Sequence, residues 1–433
     1  MTTPPDPAQI RRHFNCRACN GPLRPILDLG NHRLNDFPAA GDDLESRREI
    51  PLVLMVCVDC SLVQLGHTVP PDWMYRTYWY RSAVNESMVA ELRGIVKEAA
   101  AQVPLAATDY VLDIGANDGT LLAAYLSLPY HPIRAAVEPA RNLHDHLSRY
   151  TDILIPEYFP TDQLDRLAGR FKVITAIACC YDLEDPVAFF RQIARLLHPA
   201  GIAVVQFQDL LQQIHATAFD NIVHEHLEYY TLGSLLEICL DSGLQADRVQ
   251  PSAINGGSLR VTLRRVEKGG KGRLMPTVAA QLLAEHEAGL SVEQIGRGDL
   301  SAFTFFRTRV STICAHLQAI LAVARSQGQV VDWYGASTKS NCTLQVLGWG
   351  PGEIRQAIDR NPEKAGRRTI TGIPIVGEKD WMANPAPITL IGIWQFKDFV
   401  LKRERAYLKQ GGAFVIPLPH VEIIQEAKIS HGV

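Results

Sequence analysis

The chain has 433 residues, 47% of them hydrophobic and 21% charged, with a formal net charge of −3 at pH 7. That length suffices for roughly three domains of about 150 residues, and the near-neutral balance gives no electrostatic reason to expect DNA or RNA as a partner. Its apolar runs fall short of the roughly 18 residues that suggest a membrane span, and the opening MTTPPDPAQIRRHFN lacks the apolar stretch of a secretory signal, so a short disordered lead-in to a cytoplasmic protein is expected.

Four of the nine cysteines come early, as CRAC (Cys16, Cys19) and CVDC (Cys57, Cys60). Each C-x-x-C knuckle can set two thiolates on one side of a tight turn, and two knuckles complete the tetrahedral sulfur shell of a structural zinc site. Redox pairs or disulfides are the competing reading, disfavoured without a secretion signal. Cys179, Cys180, Cys239, Cys314 and Cys342 lie in apolar or mixed surroundings and are expected to be small buried hydrophobes.

A junction rich in Tyr and Arg, MYRTYWYRSAVNESM (74 to 88), follows, and then a helix with Met88, Leu92, Ile95 and Val96 at helical spacing. Next come an apolar strand from Tyr110 to Ile114, a turn from Gly115 to Gly119 that includes Asn117, and a helix from about Thr120. Strand, glycine loop and helix N-terminus form a cradle for a polar ligand. The loop is not G-x-G-x-x-G. It matches the first motif of S-adenosylmethionine-dependent methyltransferases, D-x-G-x-x-x-G, at Asp113, Gly115 and Gly119, and IRAAVEP ends a second strand at Glu138, placed to accept from ribose hydroxyls. DILIPEYF, FKVITAIACC, DPVAFFRQIARLL and GIAVVQF continue the alternation, so an open, mostly parallel sheet covered on both faces is expected. Glu157, Tyr158 and Phe159 end its third strand, where they could edge an adenine or simply pack in the core.

SLRVTLRRV (258 to 266) alternates as an edge or antiparallel strand and closes the first sheet. After a helical stretch from about 276 to 327, VVDWYGASTKSNCTLQVL, IRQAIDRNPEKAGR, ITLIGIWQF and GGAFVIPLP imply a second doubly wound domain. Gly335 permits a tight turn there, and Lys339 is either a phosphate contact or a solvated side chain. The expected class is α/β: a zinc-binding module over 1–75, a Rossmann-like methyltransferase domain over 76–270, and a helical linker with a second Rossmann-like domain over 271–433.

The segment NIVHEHLEYY (221 to 230) sets His224, Glu225 and His226 side by side. The histidines are two apart, unlike the i, i+4 pair of H-E-x-x-H, so a zincin site is not expected. In order, the knuckles, YWYRSAVNESM, the D-x-G-x-x-x-G loop, YDLEDP, HEHLEYY, NGGSLRV, YGASTKSN and IDRNPEKAGR resemble, over almost the whole chain, the nucleotide-sugar C-methyltransferases of deoxysugar biosynthesis. The resemblance implies methylation of the carbon next to a keto-sugar carbonyl by a monomer or homodimer, with S-adenosylmethionine held by Asp113, Gly115, Asn117, Gly119 and Glu138 and a structural zinc on Cys16, Cys19, Cys57 and Cys60. With that reaction in view, His226, whose ordinary pKa suits base catalysis near neutral pH, is the expected base, with Glu225 orienting it or the sugar and Tyr80 bonding the oxyanion. Tyr78, Ser82 and Asn85 would face the sugar, His224 would face it or stand behind it as a structural residue, and Lys339, Asn341, Asp359 and Arg360 would lie near its nucleotide. Val223 replaces a Tyr, Ala178 and Asp182 replace an Asn and a His, and Ser340 replaces a Gly of several relatives, which bears on the identity of the sugar. Two other classes share parts of this pattern: a zinc-ribbon nucleic-acid methyltransferase and a nucleotide-sugar-binding protein without turnover.

Overall fold

The strands Leu23–Arg33 and Glu49–Cys57 form the longest hairpin, with the alternate residues Ile50, Leu52, Leu54 and Val56 of EIPLVLMVC turned to the core. Val63–Leu65 pairs antiparallel with the second of them. The fourth strand of this sheet, Glu228–Tyr229, comes from far along the chain and pairs antiparallel with Val63 and Gln64. The computed structural model describes residues 9–266 and 274–426; residues 1–8 of the expected lead-in over 1–15 and the expected domain boundary at 270 lie outside them, whereas Arg11 and Arg12 of that lead-in form a strand paired antiparallel with Thr68 and His67.

The central sheet has seven strands, in the spatial order Leu244–Ser252, Ser258–Arg265, Leu197–Gln208, Phe171–Ile177, Tyr110–Ile114, Ile133–Val137 and Ile153–Ile155. The last five of these are mutually parallel, and the first two form an antiparallel hairpin. Ser258–Arg265 is therefore antiparallel as expected but not an edge, since a strand over 244–252 that the alternation did not reveal lies outside it. The strand order reverses between Tyr110–Ile114 and Phe171–Ile177, which puts a ligand crevice beyond their carboxyl ends. There, a Cβ on Gly115, whose φ is +67°, would come within 3.0 Å of Cys179. Thr175 Oγ1 donates to Asp113 Oδ1 (2.7 Å), tying the two strands together just below the crevice.

The third sheet repeats this plan with six strands: Ile375–Gly377, Ala357–Asp359, Val331–Tyr334, Ile388–Ile391 and Ala413–Ile416 are parallel, and Glu422–Gln425 is antiparallel at the edge. Its order reverses between Val331–Tyr334 and Ile388–Ile391, where a Cβ on Gly335 would strike Ile393 at 2.6 Å. One core joins the N-terminal sheet, the segment 210–229, the helix Ser301–Ser326 and this third sheet, whereas the knuckle cysteines Cys16, Cys57 and Cys60 pack into the core of the central sheet. The N-terminal module is thus wedged between the two larger units.

Ala178, on the loop after Phe171–Ile177, has φ +57°. The left-handed region costs a residue with a Cβ about 1–2 kcal/mol, a penalty that Asn tolerates better. Ala178→Asn is therefore expected to raise unfolding free energy by roughly 0.5–1 kcal/mol in denaturant titrations.

Candidate active site and metal centre

The four knuckle sulfurs all lie within 4.8 Å of one another. Cys16 and Cys60 Sγ are 3.6 Å apart, and Cys19 and Cys57 Sγ 3.4 Å. A tetrahedral zinc with Zn–S bonds of about 2.3 Å spaces its sulfurs by about 3.8 Å, so the set fits that ion. Backbone N–H groups of Ala18 and Gly21 donate to Cys16 and Cys19 Sγ, as suits thiolates. Four sulfur ligands close the shell and leave no position for a substrate or a reactive water.

At the crevice of the central sheet, Glu138 accepts from the N–H of Asn117 (2.7 Å) with one carboxylate oxygen and from that of Ala140 (2.8 Å) with the other. Each oxygen keeps a second lone pair, which is the capacity a ribose diol needs. The loop adopts φ +51° at Asn117 and +83° at Gly119. Asn117 holds down the junction segment: its Oδ1 accepts from Ser82 N (3.0 Å) and its Nδ2 donates to the Tyr80 carbonyl (3.1 Å). Asp118 Oδ2 accepts from Ala83 N. The tyrosine-rich segment is therefore a strap across the cofactor loop. Asn85 caps the helix Glu86–Gln102 by accepting from Ser87 N, so its carbonyl oxygen serves the fold.

The phenols divide differently from expectation. Burial, with Asp118 beside it, pushes Tyr80 up to about 12, and its ring is 39% exposed. Tyr78 is enclosed, and burial together with the carboxyls of Asp182, Glu225 and Glu138 raises its pKa. Tyr78 thus stands between the cofactor carboxylate and the HEH segment. Tyr158 donates to Asp72 and Phe159 packs edge-on against Phe189 at 5.0 Å, so Phe159 is a core residue.

Within HEH the three side chains part company. His224 is buried away from the crevice near His32 and the Pro51 and Ile50 carbonyls, and burial lowers it to about 3; the expected sugar contact is replaced by packing against the N-terminal sheet. His226 donates from Nδ1 to the Asn221 carbonyl (2.9 Å). Because a carbonyl only accepts, the neutral ring carries its proton on Nδ1 and its lone pair on Nε2. Burial lowers His226 to about 4, with Lys339 acting in the same direction, and Tyr181 packs edge-on to its ring at 4.8 Å. Burial pushes Glu225 up to about 7; its Oε2 accepts from Asn35 Nδ2 (3.1 Å) and its carbonyl from the Tyr75 hydroxyl. Glu225 makes no hydrogen bond to His226, whose orienting partner is Asn221.

The third sheet brings Lys339 to the same place. Its Nζ is buried, donates to the Asn255 carbonyl (2.9 Å) and is attracted by Asp220. Asn341 uses both ends of its amide, donating to the Asp36 carbonyl and accepting from Ile370 N, which leaves it as a domain joint. Asp359 accepts from Asn361 N and pairs with Lys364, while Arg360 is exposed over the Phe399 ring. Ser340 donates from Oγ to the Gly335 carbonyl (2.5 Å), so its hydroxyl is absorbed inside the turn. Asn35 and Asp36 carry no motif and escaped the sequence reading, their local signal being the polar pair between the hydrophobic Leu34 and Phe37; Tyr75 lies in the Tyr- and Arg-rich junction, whose composition assigns it no role.

Comparison with protein families matches residues 16–75 to a zinc binding domain, 84–249 to a methyltransferase domain and 253–419 to a C-methyltransferase C-terminal domain. The chain is 27% identical over 422 residues to C-methyltransferase NovU of Streptomyces niveus, covering 96% of this chain and 98% of NovU. Among solved structures, a chain of the Haloferax volcanii Trm112 methyltransferase-activator complex aligns with 43% of this chain and 95% of its own, at 16% identity and a TM-score of 0.35. The 1,6-didemethyltoxoflavin-N1-methyltransferase of Burkholderia thailandensis aligns with 43% of this chain and 81% of its own, at 14% identity and a TM-score of 0.33.

Elemental analysis is expected to find about one zinc per chain, and Cys57→Ser to lose it together with solubility, because a structural zinc is part of the folding free energy. Active, well-folded protein without zinc is the contrary result. Glu138→Ala is expected to weaken S-adenosylmethionine binding by about 1–3 kcal/mol in calorimetric titration, the usual cost of buried groups left unpaired.

Proposed function

We propose that this chain, an S-adenosylmethionine-dependent C-methyltransferase with an N-terminal zinc module, methylates the carbon next to the carbonyl of a nucleotide-linked deoxy keto-sugar. The likeness to NovU along the whole chain and the order of the motifs support that substrate class. The observation that carries the reading is the fixed tautomer of His226, with a free Nε2 in the crevice that also holds Tyr78 and Lys339. The enzyme is read as cytoplasmic, a monomer or homodimer, with no nucleic-acid partner.

S-adenosylmethionine, when bound, supplies an electrophilic methyl group; Glu138 would hold its ribose and the Gly115–Gly119 loop would cradle it. The chain's own residues must make a nucleophile of carbon. His226 Nε2 takes the proton next to the carbonyl; the electron pair of that C–H bond becomes the C=C bond of the enolate, and the π pair of the carbonyl moves onto its oxygen. A phenol from the strap, Tyr78 or Tyr80, donates to the oxyanion. Lys339 faces the nucleotide side, where phosphate charge would stabilise it. His226 is neutral near pH 7, so the base is in its working form without a prior deprotonation. The fall to about 4 departs from the near-neutral value expected of the residue: it makes the ring a weaker base, whose protonated form gives its proton up readily.

A second reading makes Glu225 the base, favoured by its rise to about 7, a closer match to neutral pH than the value of about 4 for His226. Solvent deuterium exchange at the acidic carbon, with S-adenosylhomocysteine in place of the donor, separates them. His226→Asn is expected to lower exchange and methylation by roughly 10²–10⁴ with near-normal cofactor affinity, and Glu225→Gln to do less harm. The opposite ranking assigns the base to Glu225.

A further inference from the structure

We propose that the N-terminal module is a working part of the catalytic crevice, with Asn35 as the positioning residue that holds the Glu225 carboxylate for the reaction. The inference rests on the reading of the HEH segment as catalytic. Asn35 lies on the loop that leaves the strand Leu23–Arg33 and donates from Nδ2 to Glu225 Oε2 at 3.1 Å. With Nδ2 committed to an acceptor, Oδ1 must point the other way, and it is buried without a protein partner. An amide so placed has one end for the carboxylate and one left for a hydroxyl or amine of the sugar.

The residues on either side hold that amide still. Arg33 exchanges two hydrogen bonds with the Gln345 side chain, N–H to Oε1 at 2.7 Å and Nε2 to its carbonyl at 3.2 Å. Asp36 accepts from Trp79 Nε1 of the strap with its side chain and from Asn341 Nδ2 with its carbonyl, both at 3.1 Å. Phe37 packs edge-on to Trp79 at 5.9 Å, lies 4.0 Å beneath Lys364 Nζ, and accepts from Arg367 at its carbonyl. Arg367 in turn stacks over Trp79. Residues 33–37 are therefore fastened to both the strap and the third sheet, which fixes the backbone from which the Asn35 side chain reaches Glu225.

Glu225 has no other side-chain hydrogen bond among the described residues. The titratable groups around it are Asp182 from the loop after Phe171–Ile177, Tyr75 and Tyr78 from the strap, Tyr229 from the N-terminal sheet, and Cys342 from the helix Thr338–Leu347. None of these is a cation. Burial raises Glu225; its own backbone N–H opposes the rise most, and Asn35 is the side chain that adds to that opposition. Removing the amide donor should therefore make the carboxylate harder to ionise, and an adjacent negative charge should make it harder still.

The test uses the full chain with its zinc and a keto-sugar substrate. Asn35→Leu is expected to lower kcat about 10- to 100-fold, as for loss of a hydrogen bond to a charged group, and to move the acid limb of the kcat–pH profile upward. Asn35→Asp, nearly the same size, should move it further in the same direction. Zinc content and S-adenosylmethionine affinity should stay near wild type in both. In a Glu225→Gln background Asn35→Leu should no longer move the acid limb and should lower kcat less than in the wild-type background, the remainder being the contact of Oδ1 with the sugar. If His226→Asn and Glu225→Gln are each as active as wild type, the catalytic reading of HEH is at fault; if only Glu225→Gln is, Glu225 has no part in the reaction and the inference fails. If Glu225→Gln is impaired while Asn35→Leu and Asn35→Asp leave the acid limb in place, or Asn35→Leu acts with full effect in the Glu225→Gln background, Asn35 is a packing residue and the inference fails by itself. Asn35→Asp carries the test alone should Asn35→Leu not fold.

Discussion

The short antiparallel pairing of Glu228 and Tyr229 with Gln64 and Val63 is the contact on which the site depends. It makes the segment after HEH a strand of the N-terminal sheet, so that the position of the crevice residues is set by a module whose own shape is held by four thiolates. Leu65 N–H donates to the Leu227 carbonyl, and Leu227 and Glu228 N–H both donate to the Tyr181 carbonyl, which stitches the same segment to the loop leaving the central sheet. A peptide with its backbone polar groups used on both sides has little freedom to move. Such a stitch turns a metal site with no open coordination position into a determinant of geometry elsewhere.

The crevice is dominated by desolvation. Acids rise there, Asp113 and Glu225 each to about 7, while His226 falls to about 4. The low-dielectric setting favours neutral forms, which is the state in which an imidazole can accept a proton and a carboxyl can be tuned by one hydrogen bond. The same setting makes each unpartnered polar atom costly, and Asn35 Oδ1 and Asp182 Oδ1 are two of them. Asn35 Oδ1 is an acceptor, so the ligand that completes the site should bring it a donor, whereas Asp182, whose carboxyl burial raises, can accept or, protonated, donate.

Two switch points face a common space, built by the same device. At each, a glycine with positive φ lets one loop lie against the loop from the strand on the other side of the reversal, Gly115 against Cys179 and Gly335 against Ile393. The convergence of Lys339 with His226 follows from this arrangement of two doubly wound sheets around the N-terminal wedge. No helix among the described residues is long and apolar enough to cross a membrane.

What the sequence determined by itself was everything encoded locally. The knuckles, the D-x-G-x-x-x-G loop, Glu138 at its strand end and the two runs of alternating elements are short-range patterns, readable because thiolate spacing and backbone turns depend on residues a few positions apart. The carboxyl-edge crevices followed from the strand alternation. Tertiary structure alone decided which way the side chains of HEH point, because neighbouring residues in an irregular segment have no period to assign their faces. It sent His224 to Ile50 and Pro51, gave His226 its tautomer through Asn221, and left Asn85 and Asn341 to cap and join rather than to face a ligand. It also brought Asn35 to Glu225, 190 positions apart in the chain. A hydrogen bond over that separation leaves no trace in either local sequence, since its geometry is set by a sheet that borrows a strand from the other side of the molecule.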